Sequence, residues 1–241
     1  MTAGSGSAPR TFVLVHGAWH GCWCWNRVRD ILTGRGHRVF TPTLTGLADR
    51  AHLMSSDITL DTHIADVTNL IRGEGLRDVV LCGHSYSGWV ISGVAEEVGD
   101  RIGALVYLDG YVPEDGECGR DAMSPQGKAG IAEALAAGEP AQPPPDARHF
   151  GVNDADLDWV NGLLTPHPVG VALTPIRLTG ARERIAKKAY IRAPAYPSAR
   201  FDADYAKAGD RPGWQLYEVP CGHDVMVDMP DRLAGILEEV A

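Results

Sequence analysis

Positive charge is scarce in this chain. Its 22 Lys and Arg stand against 31 Asp and Glu, a formal net charge of -9, which leaves no basic footprint for nucleic acid or for an anionic membrane surface. Long apolar runs are missing too: nothing approaches the roughly 20 residues that span a bilayer. Residues 1–10, a Gly/Ser/Ala tail, lack the charged n-region and apolar h-region of a secretory leader. Cysteines are few, five at scattered spacings, which fits reduced thiols better than a disulfide framework. They form no Cys-x-x-Cys pair that would frame a zinc site. These absences lead to the expectation of a cytoplasmic protein that needs no metal or cofactor and binds no nucleic acid or membrane. Its partner is expected to be a small molecule, and the sequence fixes no oligomeric state.

What is present is an alternation of two periods. Six apolar segments, residues 11–16, 38–42, 79–82, 103–109, 187–192 and 215–219, read as strands. Between them lie helical stripes: Trp25, Val28 and Leu32; Ile64, Val67 and Ile71; then Leu233, Ile236, Leu237 and Val240 behind Pro230. At 241 residues the expectation is one α/β domain with a doubly wound, mostly parallel sheet of about six strands. About seventy-five residues separate the fourth strand from the fifth, too many for a plain crossover. Residues 115–185 are therefore expected to be an inserted cap over a core of 11–114 and 186–241, with 1–10 a flexible tail. Within the cap, Ala132, Leu135 and Ala136 mark a short helix, Pro140 to Pro145 a stiff extended break, and residues 155–164 a second helix.

Three motifs carry chemistry. Val79-Val80-Leu81-Cys82-Gly83-His84-Ser85-Tyr86-Ser87-Gly88 runs from an apolar strand through a serine among small residues into a helix. That is the context of a nucleophile elbow, although Ser87 stands where the last Gly of G-x-S-x-G usually sits. Ser85 is the expected nucleophile. Near the start, Thr11 to Val15 leads into His16-Gly17-Ala18-Trp19-His20-Gly21, a strand followed by an oxyanion loop. Its donors would be the backbone N–H groups of Ala18 and of Tyr86, the residue after the nucleophile, with His16 holding the loop. Towards the other end, Val219-Pro220-Cys221-Gly222-His223-Asp224 follows an apolar strand, and His223 suits a general base in the chain order Ser, acid, His. The acid is harder to find. The loop after Lys188 to Arg192, Ala193-Pro194-Ala195-Tyr196-Pro197-Ser198, has no carboxylate. Asp202 and Asp204 read as the N-terminal acids of a helix. Asp109, at the end of Leu105-Val106-Tyr107-Leu108, lies at the sheet edge where open α/β sheets place their sites; the alternative is a turn residue before Gly110.

On these motifs the chain resembles the α/β-hydrolase superfamily. Within it, the likeness is to the plant methylesterase and hydroxynitrile lyase group and its bacterial esterase relatives. The matching stretches are Phe12 to Gly21, the Trp25 helix ending in Gly36-His37-Arg38-Val39, the elbow, and Gly222-His223. The resemblance implies Ser85 as nucleophile, His223 as base, and Ala18 and Tyr86 as oxyanion donors. It departs at the acid, which the plant members carry after the penultimate strand; haloalkane dehalogenases and some lipases place theirs after the strand that follows the elbow, as Asp109 would be. Lyase members replace the oxyanion Gly with Thr and carry Lys after the catalytic His. Here those positions are Gly17 and Asp224, so hydrolysis is favoured.

The reading is a serine hydrolase that cleaves a small carboxylic ester or lactone through an acyl-enzyme formed on Ser85, with His223 and Asp109. Trp19, His20 and Trp159 are expected in a largely apolar substrate pocket. The alternatives are a lyase, cyclase or transacylase on the same fold, or a non-catalytic ligand-binding protein on that scaffold.

Overall fold

The strand segments pair into one parallel sheet. In the computed structural model, which describes residues 8–241, these are β1 (Thr11–Val15), β2 (Arg38–Phe40), β3 (Val79–His84) and β4 (Ile102–Leu108). Residues 1–7 of the expected tail lie outside the described residues. A two-residue ribbon, β5 (Ala141–Gln142) and β6 (His167–Pro168), belongs to the insertion. β7 (Lys187–Arg192) and β8 (Trp214–Glu218) return to the main sheet, whose order is β2-β1-β3-β4-β7-β8. All of its pairings are parallel.

Strand side chains alternate between two faces, and both faces are buried. Phe12, Leu14, Val80, Cys82 and Val106 pack with Val28 and Leu32 of α1 (Asn26–Gly34). Val13, Val15, Leu81, Leu105 and Tyr107 pack with Val67 and Ile71 of α2 (Leu60–Gly73) and with Val90, Ile91 and Val94 of α3 (Ser87–Val98). A strand buried on both faces must read as a continuous apolar run, which is why β3 and β4 stand out in the sequence.

The insertion between β4 and β7 carries α4 (Pro125–Ala137), α5 (Leu157–Leu163) and α6 (Ala181–Arg184). The Ser124 hydroxyl accepts the Gly127 N–H at the start of α4, and Gly138, at φ 72°, ends it. Pro140 to Pro145 is not an unpaired break, because Ala141 and Gln142 within it pair antiparallel with Pro168 and His167. After β7 comes α7 (Ala199–Gly209), capped by Ser198, and after β8 come α8 (Val225–Asp228) and α9 (Pro230–Val240). Leu233, Ile236 and Leu237 of α9 join the α1 side of the sheet. Among the described residues no helix is long and apolar enough to cross a membrane.

Candidate active site

Ser85 follows the last residue of β3 with φ at 54°, the left-handed region that costs a non-glycine residue about 1–3 kcal/mol. The surroundings hold it there. Its N–H donates to Leu108 O at 3.0 Å, and its carbonyl accepts from Gly88 N at 3.1 Å and Tyr111 N at 3.2 Å. α3 can start this close only because Gly88 lacks a side chain: a Cβ there would lie 1.9 Å from Tyr111 O. Ser87, at the usual glycine position, is accommodated because its hydroxyl donates to the His16 carbonyl.

Asp109 repeats the same construction one strand over. It follows β4 with φ at 39°, and its N–H donates to Ile191 O at 2.7 Å, continuing the ladder to β7. Its carboxylate is fully buried and bonded to three donors. Oδ2 accepts from His223 Nδ1 at 2.6 Å. Oδ1 accepts from the Arg192 guanidinium at 2.6 Å and from Ala193 N at 3.0 Å. Arg192 is itself anchored by Ala193 O, Tyr196 O and Asp202. A carboxylate so bonded holds the imidazole with its Nε2 free. His223 is further fixed by its N–H to Phe150 O at 2.7 Å and by a ring stack on Tyr196, with centroids 4.4 Å apart. No hydrogen bond closes between Ser85 Oγ and His223 among the described residues; such contacts commonly tighten only with substrate bound.

The oxyanion loop lies directly beside the nucleophile, since a Cβ on Gly17 would come within 3.1 Å of the Ser85 Cβ. His16 Nδ1 donates to Gly17 O at 2.9 Å and its Nε2 accepts the Leu44 N–H. This holds the carbonyl of the peptide whose N–H belongs to Ala18. Burial lowers the pKa of His16 to about 3, so the ring stays neutral. Tyr86, at the start of α3, has its hydroxyl tied to His63 Nδ1 at 3.1 Å. His63 Nε2 donates to Thr45 O, and burial brings the His63 pKa to about 4. Among the described residues, neither the Ala18 nor the Tyr86 N–H donates to a protein acceptor.

Ser85, His223, Ala18, Tyr86 and Trp19 line one cavity of about 800 Å³. Aromatic rings dominate its wall: Trp89, Tyr111, Phe150, Tyr196 and Phe201 join Trp19 and Tyr86, and Pro143 to Pro145 close it from the insertion. Two expected pocket residues lie elsewhere. His20 is 1% exposed and bonded to Asp224 at 3.0 Å. Trp159 packs edge-on against Trp23 and under the Arg27 guanidinium, because α5 turns its apolar side to the Cys22–Trp25 turn. Asp202 meets Arg192, and Asp204 is buried, accepting from Val112 N and Arg200. His63 and His167 are buried rather than solvated, and His167 lines the cavity. His16 and His20 stand four residues apart, a spacing that on a helix would suggest metal ligands; here they sit on a loop and every ring nitrogen is already bonded. Arg192 was unanticipated. The available signal was a charged residue closing an apolar parallel strand, which requires a buried carboxylate partner.

A positive-φ serine between strand and helix, a carboxylate-bound histidine after the last strand and a free-amide loop after the first form one recurrent arrangement. The family model described as "Alpha/beta hydrolase family" matches residues 12–236. The chain belongs to the α/β hydrolase family. A carbendazim hydrolyzing esterase of Nocardioides sp. (strain SG-4G) is 43% identical over 233 residues, covering 92% of this chain and 96% of that protein. Methyl jasmonate esterase 1 of Vitis vinifera is 35% identical over 108 residues, 43% of this chain and 40% of the plant protein. An extracellular α/β-hydrolase from a Paenibacillus species superposes with a TM-score of 0.85 at 23% identity, over 97% of this chain and 99% of that one, a likeness of fold. This α/β hydrolase is a carboxylic ester hydrolase.

Proposed function

We propose that the enzyme cleaves its ester through an acyl-enzyme on Ser85, with His223 as base, Asp109 as its orienting acid and Ala18 and Tyr86 as oxyanion donors. The observation that carries the reading is the 2.6 Å bond from His223 Nδ1 to Asp109 beside a strained serine in the same cavity. His223 Nε2 takes the Ser85 proton as Oγ attacks the ester carbonyl. The oxyanion receives the two amide hydrogens, an arrangement whose single donors are worth about a hundredfold to a thousandfold in rate. His223 then gives its proton to the leaving alcohol as the C–O bond breaks. Water attacks the acyl-enzyme with His223 again as base, and the acid leaves as Ser85 regains its proton.

The aromatic wall supports an aromatic ester as substrate, since rings gain from offset-stacked and edge-to-face contact with other rings beyond the area they bury. Carbendazim, by the name of the Nocardioides relative, is the first compound to assay beside p-nitrophenyl and benzoate esters. Ser85→Ala is expected to abolish turnover without changing the melting temperature by more than a few degrees, and a fluorophosphonate probe to label the peptide that holds Ser85. Labelling elsewhere, with Ser85 untouched, would overturn the assignment. Equal kcat/KM on aromatic and short aliphatic acyl esters would overturn the substrate class.

A further inference from the structure

His20 is the one histidine around the site whose surroundings demand a second proton. His16 and His63 each meet one donor and one acceptor, which a neutral ring satisfies completely. His20 meets two acceptors: its Nδ1 lies 2.7 Å from Ala18 O, and its Nε2 lies 3.0 Å from Asp224 Oδ2. The carbonyl can only accept, so Nδ1 carries a hydrogen. One more proton must lie between Nε2 and the carboxylate.

The geometry points to a buried ion pair, His20 imidazolium with Asp224 carboxylate, acting as a positioning device for the oxyanion loop. The inference rests on the reading of Ala18 as an oxyanion donor. Trp19, between Ala18 and His20, has φ at 63°. The ring therefore closes a strained turn by bonding the Ala18 carbonyl, which fixes the Ala18–Trp19 peptide, while His16 fixes the preceding peptide that carries the Ala18 N–H. Asp224 directly follows His223, so the same pair ties the oxyanion loop to the base loop, 204 residues apart in sequence. His84 adds a third tie, its Nε2 donating to His223 O at 3.0 Å.

The titratable groups that face the pair are His223 and Cys221 from the base loop, His84 from the elbow, His16 from the same loop, His167 from β6, Tyr196, and Cys24. Burial alone would deprotonate His20, but the attraction of Asp224 and the bond to it outweigh burial and raise its pKa. Burial would likewise raise Asp224, and His20 brings it down to about 2. Burial keeps His84 and His167 neutral, so neither competes for the carboxylate.

Long-range proton–nitrogen spectra of 15N-labelled enzyme, with the histidines assigned through the backbone, read the charge directly. At pH 7.5 both His20 nitrogens are expected to carry hydrogen, while His16 and His63 show one each. A neutral His20 at that pH would place the proton on Asp224 and overturn the ion pair. In Asp224→Asn the cation loses its partner, so the alkaline limb of kcat should move to lower pH. kcat at pH 8 is expected to fall about tenfold, less than the loss of an oxyanion donor, with KM within about twofold because His20 does not line the cavity. An unchanged alkaline limb and kcat in that variant would overturn the positioning role. If Asp224→Asn does not fold, His20→Gln is the test: its uncharged amide leaves nothing to titrate at this position, so the alkaline limb should vanish and kcat at pH 7.5 should fall by a similar factor. A limb that stays in place there overturns the role equally. Activity persisting in Ser85→Ala would instead remove the reading beneath it.

Discussion

At the scale of single residues, the site depends on two side chains that leave a strand in an unfavourable backbone conformation. Ser85 and Asp109 each stand one residue past a strand end with φ above zero, and each has an N–H that extends the ladder to the next strand. For Asp109 the demand is chemical as well as steric. Asp109→Asn keeps the shape but presents an amide to His223 and favours the wrong imidazole tautomer. It is expected to lower kcat about a hundredfold to ten-thousandfold with KM nearly unchanged in steady-state assays. Asp202→Asn, which touches only the far side of Arg192, should keep kcat within a few-fold. A large loss there would mean that the Arg192 anchor matters as much as the acid. Asp204→Asn should act on stability instead, because its carboxylate is buried between Val112 N and Arg200.

At the scale of elements, the strand–turn–helix of the elbow and the strands before each loop are legible in the sequence, since parallel strands buried on both faces cannot hide their apolar runs. Ser85 and Asp109 are legible because each directly follows such a run, whereas His223 comes after β8, an exposed edge strand, and is read from its place after Ser85 in chain order. His20 and Trp159 could not be placed, because which side of a loop or short helix faces a cavity is decided by distant partners: Asp224 for the first, Trp23 and Arg27 for the second. Gly88 falls outside the G-x-S-x-G pattern, yet it is the glycine that lets α3 approach Tyr111. Gly88→Ala places a methyl against backbone that cannot move aside. It is expected to cost more than the roughly 1–3 kcal/mol of ordinary overpacking, read as a lowered denaturation midpoint. Pro143 to Pro145 border the cavity from the insertion, so shortening that stretch should change the ratio of rates on acetyl and longer acyl esters. An equal loss on every ester would show a stability effect alone.

For the whole molecule, the buried histidines set the response to acid. Desolvation holds His16 at about 3 and His63 at about 4, with His84 and His167 also below the ordinary value. The unfolded chain takes up protons near pH 6.5 and the folded chain does not, so each of these groups removes about 1.4 kcal/mol of stability per pH unit below 6.5 until its own folded value is reached. His20 adds no pH dependence in that window. Its folded pKa is raised, so its contribution is present below 6.5 and is lost only as pH rises through the folded value. Asp224 contributes above its ordinary range and loses that contribution only as pH falls toward about 2. Melting temperatures by circular dichroism should therefore drop steeply between pH 6.5 and 4.5. A constant value across that range would show that these rings are protonated without unfolding.

The order of the strands along the chain has a consequence for biosynthesis. On the proposed roles, the oxyanion loop follows β1, the nucleophile β3 and the acid β4, but the base follows β8, an edge strand that pairs only with β7. On those roles, a chain synthesised only as far as β7 carries the proposed nucleophile and acid but not yet the residue proposed to take the serine's proton. Ester turnover is therefore expected to require the last sheet strand, which an assay of a chain truncated before β8 would check.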